Sequence, residues 1–133
     1  MIESDLAPVL SAAARGDLRG VEWRVSSEPH VGVVMASGGY PRSYVVDVPI
    51  SGLDDADAVR GVRIDHAGTA RKGGKIVTAG GRVLTVVGRG GTYKQAIESA
   101  YEAVGCISFD GSHFRTDIGS KAHELMGAND YER

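Results

Sequence analysis

Cysteine is nearly absent from this chain: Cys106 is the single one among 133 residues. One cysteine excludes an internal disulfide framework and any zinc site built from several thiolates. The sequence also lacks an apolar run close to the roughly 18 to 20 residues that a membrane-spanning helix needs. Its N-terminal segment has no basic stretch followed by an apolar one, so it does not resemble a secretory signal. We therefore expect a cytoplasmic protein.

An excess of charge of either sign is lacking too. Lysine and arginine number 15, aspartate and glutamate number 17, and the net charge is −2. This balance gives no electrostatic reason to expect nucleic acid or a membrane as a partner. Apolar residues at 42% and charged residues at 24% are ordinary for a globular protein and argue against disorder. The length favours a single domain with a short attached element, and the unusual number is 19 glycines.

Apolar residues at helical spacing mark two segments. The spacing of the apolar residues in 6–13 predicts a first helix. A longer stripe predicts a helix over Tyr93–Val104, with Thr92 and Gln95 as a capping box and Gly105 as its end. A short acidic helix or a turn is expected at 52–59, and a last helix at 118–126.

Stretches rich in β-branched residues alternate with glycine-rich turns in the middle of the chain, a pattern that predicts strands. The expected strands are Val21–Val25, His30–Ala36, Val62–His66, Lys75–Thr78 and Arg82–Gly88, with Tyr44–Ile50 extended and Ile107–Phe109 a short strand. We expect an antiparallel sheet packed against the Tyr93–Val104 helix, because each apolar face needs another for burial. The predicted fold class is α+β.

No motif supplies a self-contained catalytic centre. The stretch Gly68–Lys75 fails the spacing of a phosphate-binding P-loop, since Gly74 and Lys75 stand where that loop needs lysine and then serine or threonine. The four histidines are not paired at metal-ligand spacing on one helix, and no nucleophile elbow frames a serine. We predict no catalytic residue, no cofactor-binding residue and no metal ligand in this chain.

Basic residues are concentrated in one part of the chain. Residues 60–94 hold eight lysines and arginines and a single acidic residue, Asp65. Bases among glycines can form a local anion site, because backbone N–H groups approach an anion closely there. A solvated strand and hairpin surface explains the same pattern. The charge pattern leaves both interpretations open.

Six segments in register resemble one known family. The segments are Met35–Pro41 with Ser43-Tyr44, Ile50–Leu53, His66–Thr69, Thr78–Leu84, Ile107–Gly111 and Phe114–Gly119. Each is weak alone, but their order and spacing from about residue 30 to residue 122 resemble the C-terminal domain of phosphoribosylamine–glycine ligase, also called glycinamide ribonucleotide synthetase. Arg42, Val45-Val46, Asp65 and Phe114 depart from the family's usual residues.

The resemblance implies an activity for the larger enzyme. Members of that family use ATP and Mg²⁺ or Mn²⁺ to join glycine to 5-phosphoribosylamine in purine synthesis. The residues that hold nucleotide and metal lie in an ATP-grasp domain, so this chain alone is expected to be inactive. The implied partners are the N-terminal and ATP-grasp domains of the same ligase, together with phosphoribosylamine.

The resemblance also implies a division of the chain. Residues 1–28 resemble the helix and strand that close the ATP-grasp domain. Residues 29–126 correspond to the C-terminal domain, a β-rich hybrid motif with a packed helix similar to that of biotin carboxylase. Residues 127–133 are expected to form a flexible tail.

The best local candidates for substrate binding are Gly80, Gly81 and Arg82. Glycines let backbone N–H groups approach an anion, and arginine binds phosphate in a two-pronged fashion. By resemblance to ATP-grasp enzymes with phosphoribosyl substrates, this region would face the sugar phosphate; a tight hairpin with Arg82 in a structural ion pair is the alternative. His66 and Thr69 are candidates for lining the same cleft, with a structural histidine as the alternative.

Two functions from different classes remain open at this point. The first is the C-terminal portion of the ligase. The second is a stand-alone or diverged non-enzymatic module that binds a phosphorylated metabolite or a partner domain. An ATP-grasp domain encoded upstream would distinguish them.

Overall fold

A computed structural model describes residues 1–122 of the chain, and within them it contains eight regular elements. The helices are α1 (Leu6–Ala14), α2 (Leu53–Asp57) and α3 (Tyr93–Cys106), and the strands are β1 (His30–Ala36), β2 (Val62–His66), β3 (Thr69–Lys72), β4 (Lys75–Thr78) and β5 (Arg82–Arg89). The expected tail at 127–133 and the end of the expected helix at 118–126 lie outside the described residues.

The main sheet has three antiparallel strands in the order β1-β5-β2. The central strand is β5, in which Val86 stands opposite Val33 on one side and Ile64 on the other. This placement fits the burial of β5, in which no residue from Val83 to Gly88 is exposed, whereas β1 exposes Gly32 and Val34. The α+β class and the antiparallel pairing are confirmed.

A separate two-stranded sheet, β3-β4, was not predicted. Its first strand, Thr69–Lys72, falls where a glycine-rich turn was expected. The turn is shorter than that and consists of Gly73 and Gly74, whose φ angles of 56° and 77° suit a two-residue hairpin loop. The strand was missed because three of its four residues are exposed, so its formation rests on pairing with β4 rather than on an apolar pattern.

The core lies between the main sheet and α3. Fully buried strand residues face a helix surface made of small side chains; the helix residues are Ala96, Ala100, Ala103 and Val104. Contact is closest at Gly88, where a Cβ would lie 2.5 Å from the Ala100 backbone nitrogen. The Thr92 hydroxyl accepts the Gln95 N–H at 3.2 Å, so the threonine half of the expected cap forms. The predicted packing of this helix on strands His30–Ala36 and Arg82–Arg89 is confirmed.

Three expected boundaries differ in the structure. Gly105 lies inside α3, which continues to Cys106, because Gly105 does not adopt the left-handed conformation that ends helices. The Val21–Val25 strand is reduced to one bridge between Val25 and Ile2, because no longer strand lies beside it in residues 1–122. The Ile107–Phe109 strand is likewise a single bridge, between Ser108 and Ser51.

The segment Tyr44–Ile50, expected to be extended, pairs with β4 near its end through a bridge between Pro49 and Val77. Val48 and Ile50 exchange hydrogen bonds with β4, from Thr78 N–H to Val48 and from Ile50 N–H to Ile76, both at 2.9 Å. Asp47 interrupts the segment with a φ of 64°. The segment therefore joins the edge of the hairpin by one bridge and forms no regular strand.

The N-terminal segment adds little to this core. Only Ala12 of α1 is buried, whereas Leu10 remains 59% exposed and Trp23 53% exposed. In residues 1–122 no helix combines the length and apolar character needed to cross a bilayer.

Candidate functional site

Two glycine-containing loops lie against each other at one end of the main sheet. The Gly68 N–H donates to the Arg82 carbonyl at 2.9 Å, and the Ala79 N–H donates to the Gly68 carbonyl at 2.7 Å. A Cβ at Gly68 would lie 2.6 Å from the Arg82 oxygen and 2.8 Å from Gly80 Cα. Only glycine permits this approach, so the end of β2 and the start of β5 are held together by backbone contacts.

A third segment, the turn that follows β1, holds the same loop from the other side. The Ser37 N–H donates to the Gly81 carbonyl at 2.8 Å, and the Ser37 hydroxyl donates to the Gly80 carbonyl at 2.9 Å. Ser37 is 2% exposed. Both glycine carbonyls are therefore directed at one buried serine.

An aromatic ring covers Gly81. A Cβ at this position would overlap the Tyr40 ring and would lie 3.1 Å from Cε1 of Tyr44. The two rings are tilted against each other with their centroids 6.3 Å apart. Gly81 therefore packs against the rings of Tyr40 and Tyr44, and its lack of a side chain leaves room for them.

A depression of about 410 Å³ opens beside Gly81. Its lining residues are Val34, Tyr40, Ala67, Gly81, Arg82 and Thr85. Side chains alternate along a strand, and the neighbouring Val33 and Val86 are buried against the core, so the depression lies on the sheet face opposite α3. Of the predicted residues Gly80, Gly81 and Arg82, the last two line this depression and Gly80 does not.

His66 and Thr69 bond to each other. The His66 Nδ1 lies 2.9 Å from the Thr69 hydroxyl, and Ala67 between them lines the depression. Neither His66 nor Thr69 lines it directly. The pair holds the loop that forms one rim of the depression.

Half of the eight basic residues in 60–94 have a carboxylate partner within residues 1–122. The pairs are Arg63–Asp65, Lys72–Asp47, Arg89–Glu28 and Lys94–Glu98, with N···O distances of 2.8, 2.7, 3.2 and 3.9 Å. Hydrogen bonds to the Asp65 carboxylate raise the pKa of the Arg63 guanidinium. Arg82 has no carboxylate within ion-pair distance in the described part of the chain, and its side chain is exposed.

Sequence reasoning missed the residues that come from β1 and its turn. Val34, Ser37 and Tyr40 are more than forty positions from Gly81 in the chain, and only the pairing of β1 with β5 brings them to the site. One local signal was available: Ser37 and Tyr40 flank two consecutive glycines directly after a buried strand.

The fold and the depression define a small α+β domain with a helix on one sheet face and a basic, glycine-framed site on the other. Residues 30–121 match the family described as phosphoribosylglycinamide synthetase, C domain, and the chain belongs to this family.

Named relatives agree with this assignment. The phosphoribosylamine–glycine ligase of Rhizobium meliloti is 50% identical over 123 residues, which cover 91% of this chain and 28% of that protein. The chloroplastic phosphoribosylamine–glycine ligase of Arabidopsis thaliana is 46% identical over 123 residues, 91% of this chain and 23% of its own length. The chain spans less than a third of these relatives.

A solved structure shows the same fold. The crystal structure of phosphoribosylamine–glycine ligase from Thermotoga maritima superposes with a TM-score of 0.67 at 34% identity. The match covers 84% of this chain and 27% of that one.

Proposed function

We propose that this chain is the C-terminal portion of a phosphoribosylamine–glycine ligase. That enzyme uses ATP to join glycine to 5-phosphoribosylamine, giving glycinamide ribonucleotide in cytoplasmic de novo purine biosynthesis. The proposal is supported by the family match over residues 30–121 and by relatives that carry this name at up to 50% identity. The stand-alone module is the less favoured reading, because the match to these ligases extends over nine-tenths of the chain.

The chemistry of phosphoryl transfer is proposed to reside in the N-terminal and ATP-grasp domains of the same ligase. Within residues 1–122, no three histidine, cysteine, aspartate or glutamate side chains are grouped to hold a metal ion. The described residues therefore do not fit a Mg²⁺ or Mn²⁺ site, and we assign them no step that involves metal or ATP.

Residues 1–28 are proposed to belong to the neighbouring ATP-grasp domain, as the resemblance implies. The family match begins at residue 30, whereas the Rhizobium meliloti relative matches 91% of the chain. Leu6, Leu10 and Trp23 are all at least 41% exposed, although large apolar side chains are normally covered. A neighbouring domain would supply the cover.

The contribution of this domain to catalysis is proposed to be a wall for the sugar phosphate of phosphoribosylamine. Arg82 carries that role, and the observation behind it is that Arg82 lines an open depression with no carboxylate partner in residues 1–122. Gly80 and Gly81 shape the loop that carries Arg82, with the Tyr40 ring lying against Gly81, and the His66–Thr69 pair shapes the opposite rim. The guanidinium donates two parallel N–H groups to phosphate oxygens.

A chimeric ligase tests this role. Residues 30–121 replace the matching segment of the Rhizobium meliloti enzyme, and Arg82→Ala is introduced. A charge-assisted hydrogen bond contributes about 1.5–3 kcal/mol, so the KM for phosphoribosylamine is expected to rise about 10- to 150-fold. The KM values for ATP and glycine should stay nearly unchanged.

The matched control is Arg89→Ala. Arg89 lies at the other end of β5 in an exposed ion pair with Glu28, and such pairs contribute about 0–1 kcal/mol to stability. It should leave all three KM values as they are. If Arg82→Ala lowers the melting temperature with unchanged kinetics, Arg82 is structural and the proposed role is wrong.

A further inference from the structure

The loop that carries Arg82 has little means of fixing its own shape. It joins β4 to β5 through Ala79, Gly80 and Gly81, and glycine restricts the backbone less than any other residue. Its conformation must therefore be set from outside. The direction in which the Arg82 side chain leaves the backbone depends on the orientation of the Gly81 peptide that precedes it.

Ser37 supplies two of the outside contacts. It donates its N–H to the Gly81 carbonyl and its hydroxyl to the Gly80 carbonyl, which fixes two successive peptide groups. Burial of Ser37 at 2% exposure keeps water from competing for these carbonyls.

Tyr40 supplies a third contact, in addition to the backbone hydrogen bonds that Gly68 makes with Ala79 and Arg82. Its ring lies against Gly81 on the side where any other residue would carry a Cβ, and the same ring lines the depression beside Arg82. It therefore blocks displacement of the loop in that direction and limits the space that the guanidinium can sweep.

The turn that holds these two side chains is itself anchored. Ala36 and His113 exchange both backbone hydrogen bonds, at 2.9 and 3.0 Å. A Cβ at Gly38 would lie 2.9 Å from the Gly111 oxygen, so the turn is packed tightly against that segment. The contacts from Ser37 and Tyr40 thus connect the Arg82 loop to a rigid part of the domain.

We propose that Ser37 and Tyr40 are positioning residues that hold the Gly80–Arg82 loop so that the Arg82 guanidinium is aimed into the depression before substrate arrives. This rests on the role proposed above for Arg82. Neither side chain is required to touch the phosphate, because the effect passes through the backbone of Gly80 and Gly81.

The variants are Ser37→Ala and Tyr40→Leu in the chimeric ligase. Ser37→Ala removes the hydroxyl bond to the Gly80 carbonyl and keeps the N–H bond to the Gly81 carbonyl, whereas Tyr40→Leu removes the ring from Gly81. Each loss is of ordinary strength, so each should raise the KM for phosphoribosylamine about 2- to 10-fold without changing the KM for ATP or glycine. Combined with Arg82→Ala, neither should add a further increase, because the group they position is gone. A general loss of structure would instead add to the effect of Arg82→Ala.

Two control variants separate positioning from folding. Tyr40→Phe keeps the ring on Gly81, so it should reverse most of the rise in the KM for phosphoribosylamine that Tyr40→Leu causes. Ser51→Ala removes the same kind of bond, from a hydroxyl to the Ser108 carbonyl at 3.1 Å, at a place outside the depression, and should not change the KM for phosphoribosylamine.

A measurement on residues 1–133 checks the mechanism directly. By NMR, Ser37→Ala should shift or broaden the Arg82 Nε–Hε signal and speed amide exchange in the 79–82 segment, while the signals of α3 stay in place. The proposal is wrong if Ser37→Ala leaves either this signal or the KM for phosphoribosylamine unchanged. If Arg82→Ala itself leaves that KM unchanged, the role of Arg82 fails first; if only Arg82→Ala raises it, Arg82 keeps its role and the positioning proposal fails.

Discussion

Glycine at single positions explains much of how this domain is assembled, but for different reasons at each position. Gly81 and Gly88 have ordinary negative φ angles and are required because another group occupies the space of a Cβ. Gly105 sits in α3 with nothing within 4 Å of such a Cβ. All three positions are glycine in the sequence. Whether glycine is required at a position can be judged only when the group packed against it is known.

Replacing Gly88 and Gly105 by alanine should change the free energy of unfolding in opposite directions. Gly88→Ala forces a methyl group against the backbone of α3 and should lower the free energy of unfolding by about 1–3 kcal/mol, as overpacking does. Gly105→Ala should raise it by about 0.5–1 kcal/mol, because alanine is favoured over glycine inside helices. Urea denaturation of residues 1–133 measures both, and equal effects of the two changes would contradict the packing described here.

Some residues of the candidate site can be proposed from their neighbours in the sequence, and others only from the pairing of distant strands. Gly80, Gly81 and Arg82 could be proposed from the sequence because glycines next to an arginine form a local pattern, and their role stays a prediction. Ser37 and Tyr40 were not, since their importance depends on the register that places Ala36 opposite Arg82. A charge pattern also could not show that Arg63 and Arg89 have carboxylate partners.

At the scale of elements, those with their own apolar period were predicted well. β1 was predicted with its observed bounds, and α3 to within two residues at its end, because burial of one face follows from sequence spacing. β3 was missed, and the strand predicted at Val21–Val25 does not form. Both cases depend on whether a neighbouring strand is present to pair, which no local pattern reveals.

The weak burial of α1 leads to a prediction about local stability. Its single buried residue, Ala12, contrasts with four in α3. A nine-residue helix with so little tertiary contact is expected to open without the rest of the domain. Hydrogen exchange on residues 1–133 should therefore be faster by at least tenfold at the amides of α1 than at those of Ala100 and Val104. Equal protection of the two helices would contradict this view of α1.

At the scale of the whole molecule, residues 1–122 have one well-formed core, and large apolar side chains lack cover in residues 1–25 and again at Tyr44, Val45 and Val46. The core belongs to residues 30–121, which are also the residues of the family match. The uncovered side chains are concentrated in residues 1–25, where Leu10 and Trp23 are more than half exposed. The proposed position beside an ATP-grasp domain accounts for this pattern, because the neighbouring domain would cover the exposed apolar side chains of residues 1–25.

Complementation tests that place. We expect residues 1–133 alone to show no ATP hydrolysis and no formation of glycinamide ribonucleotide. Mixed with a Rhizobium meliloti ligase that lacks its matching segment, the chain should restore measurable turnover, because the exposed apolar side chains gain a partner surface.

Leu10→Asp should weaken this restoration at least tenfold, since a carboxylate would have to lose its water in the interface. Ala70→Asp, on the exposed face of the β3-β4 hairpin, is the control and should restore activity as the unsubstituted chain does. Turnover by the isolated chain would place the reaction within these residues and contradict the proposed division of labour, whereas equal restoration by the Leu10 variant would show that α1 does not face the remainder of the ligase.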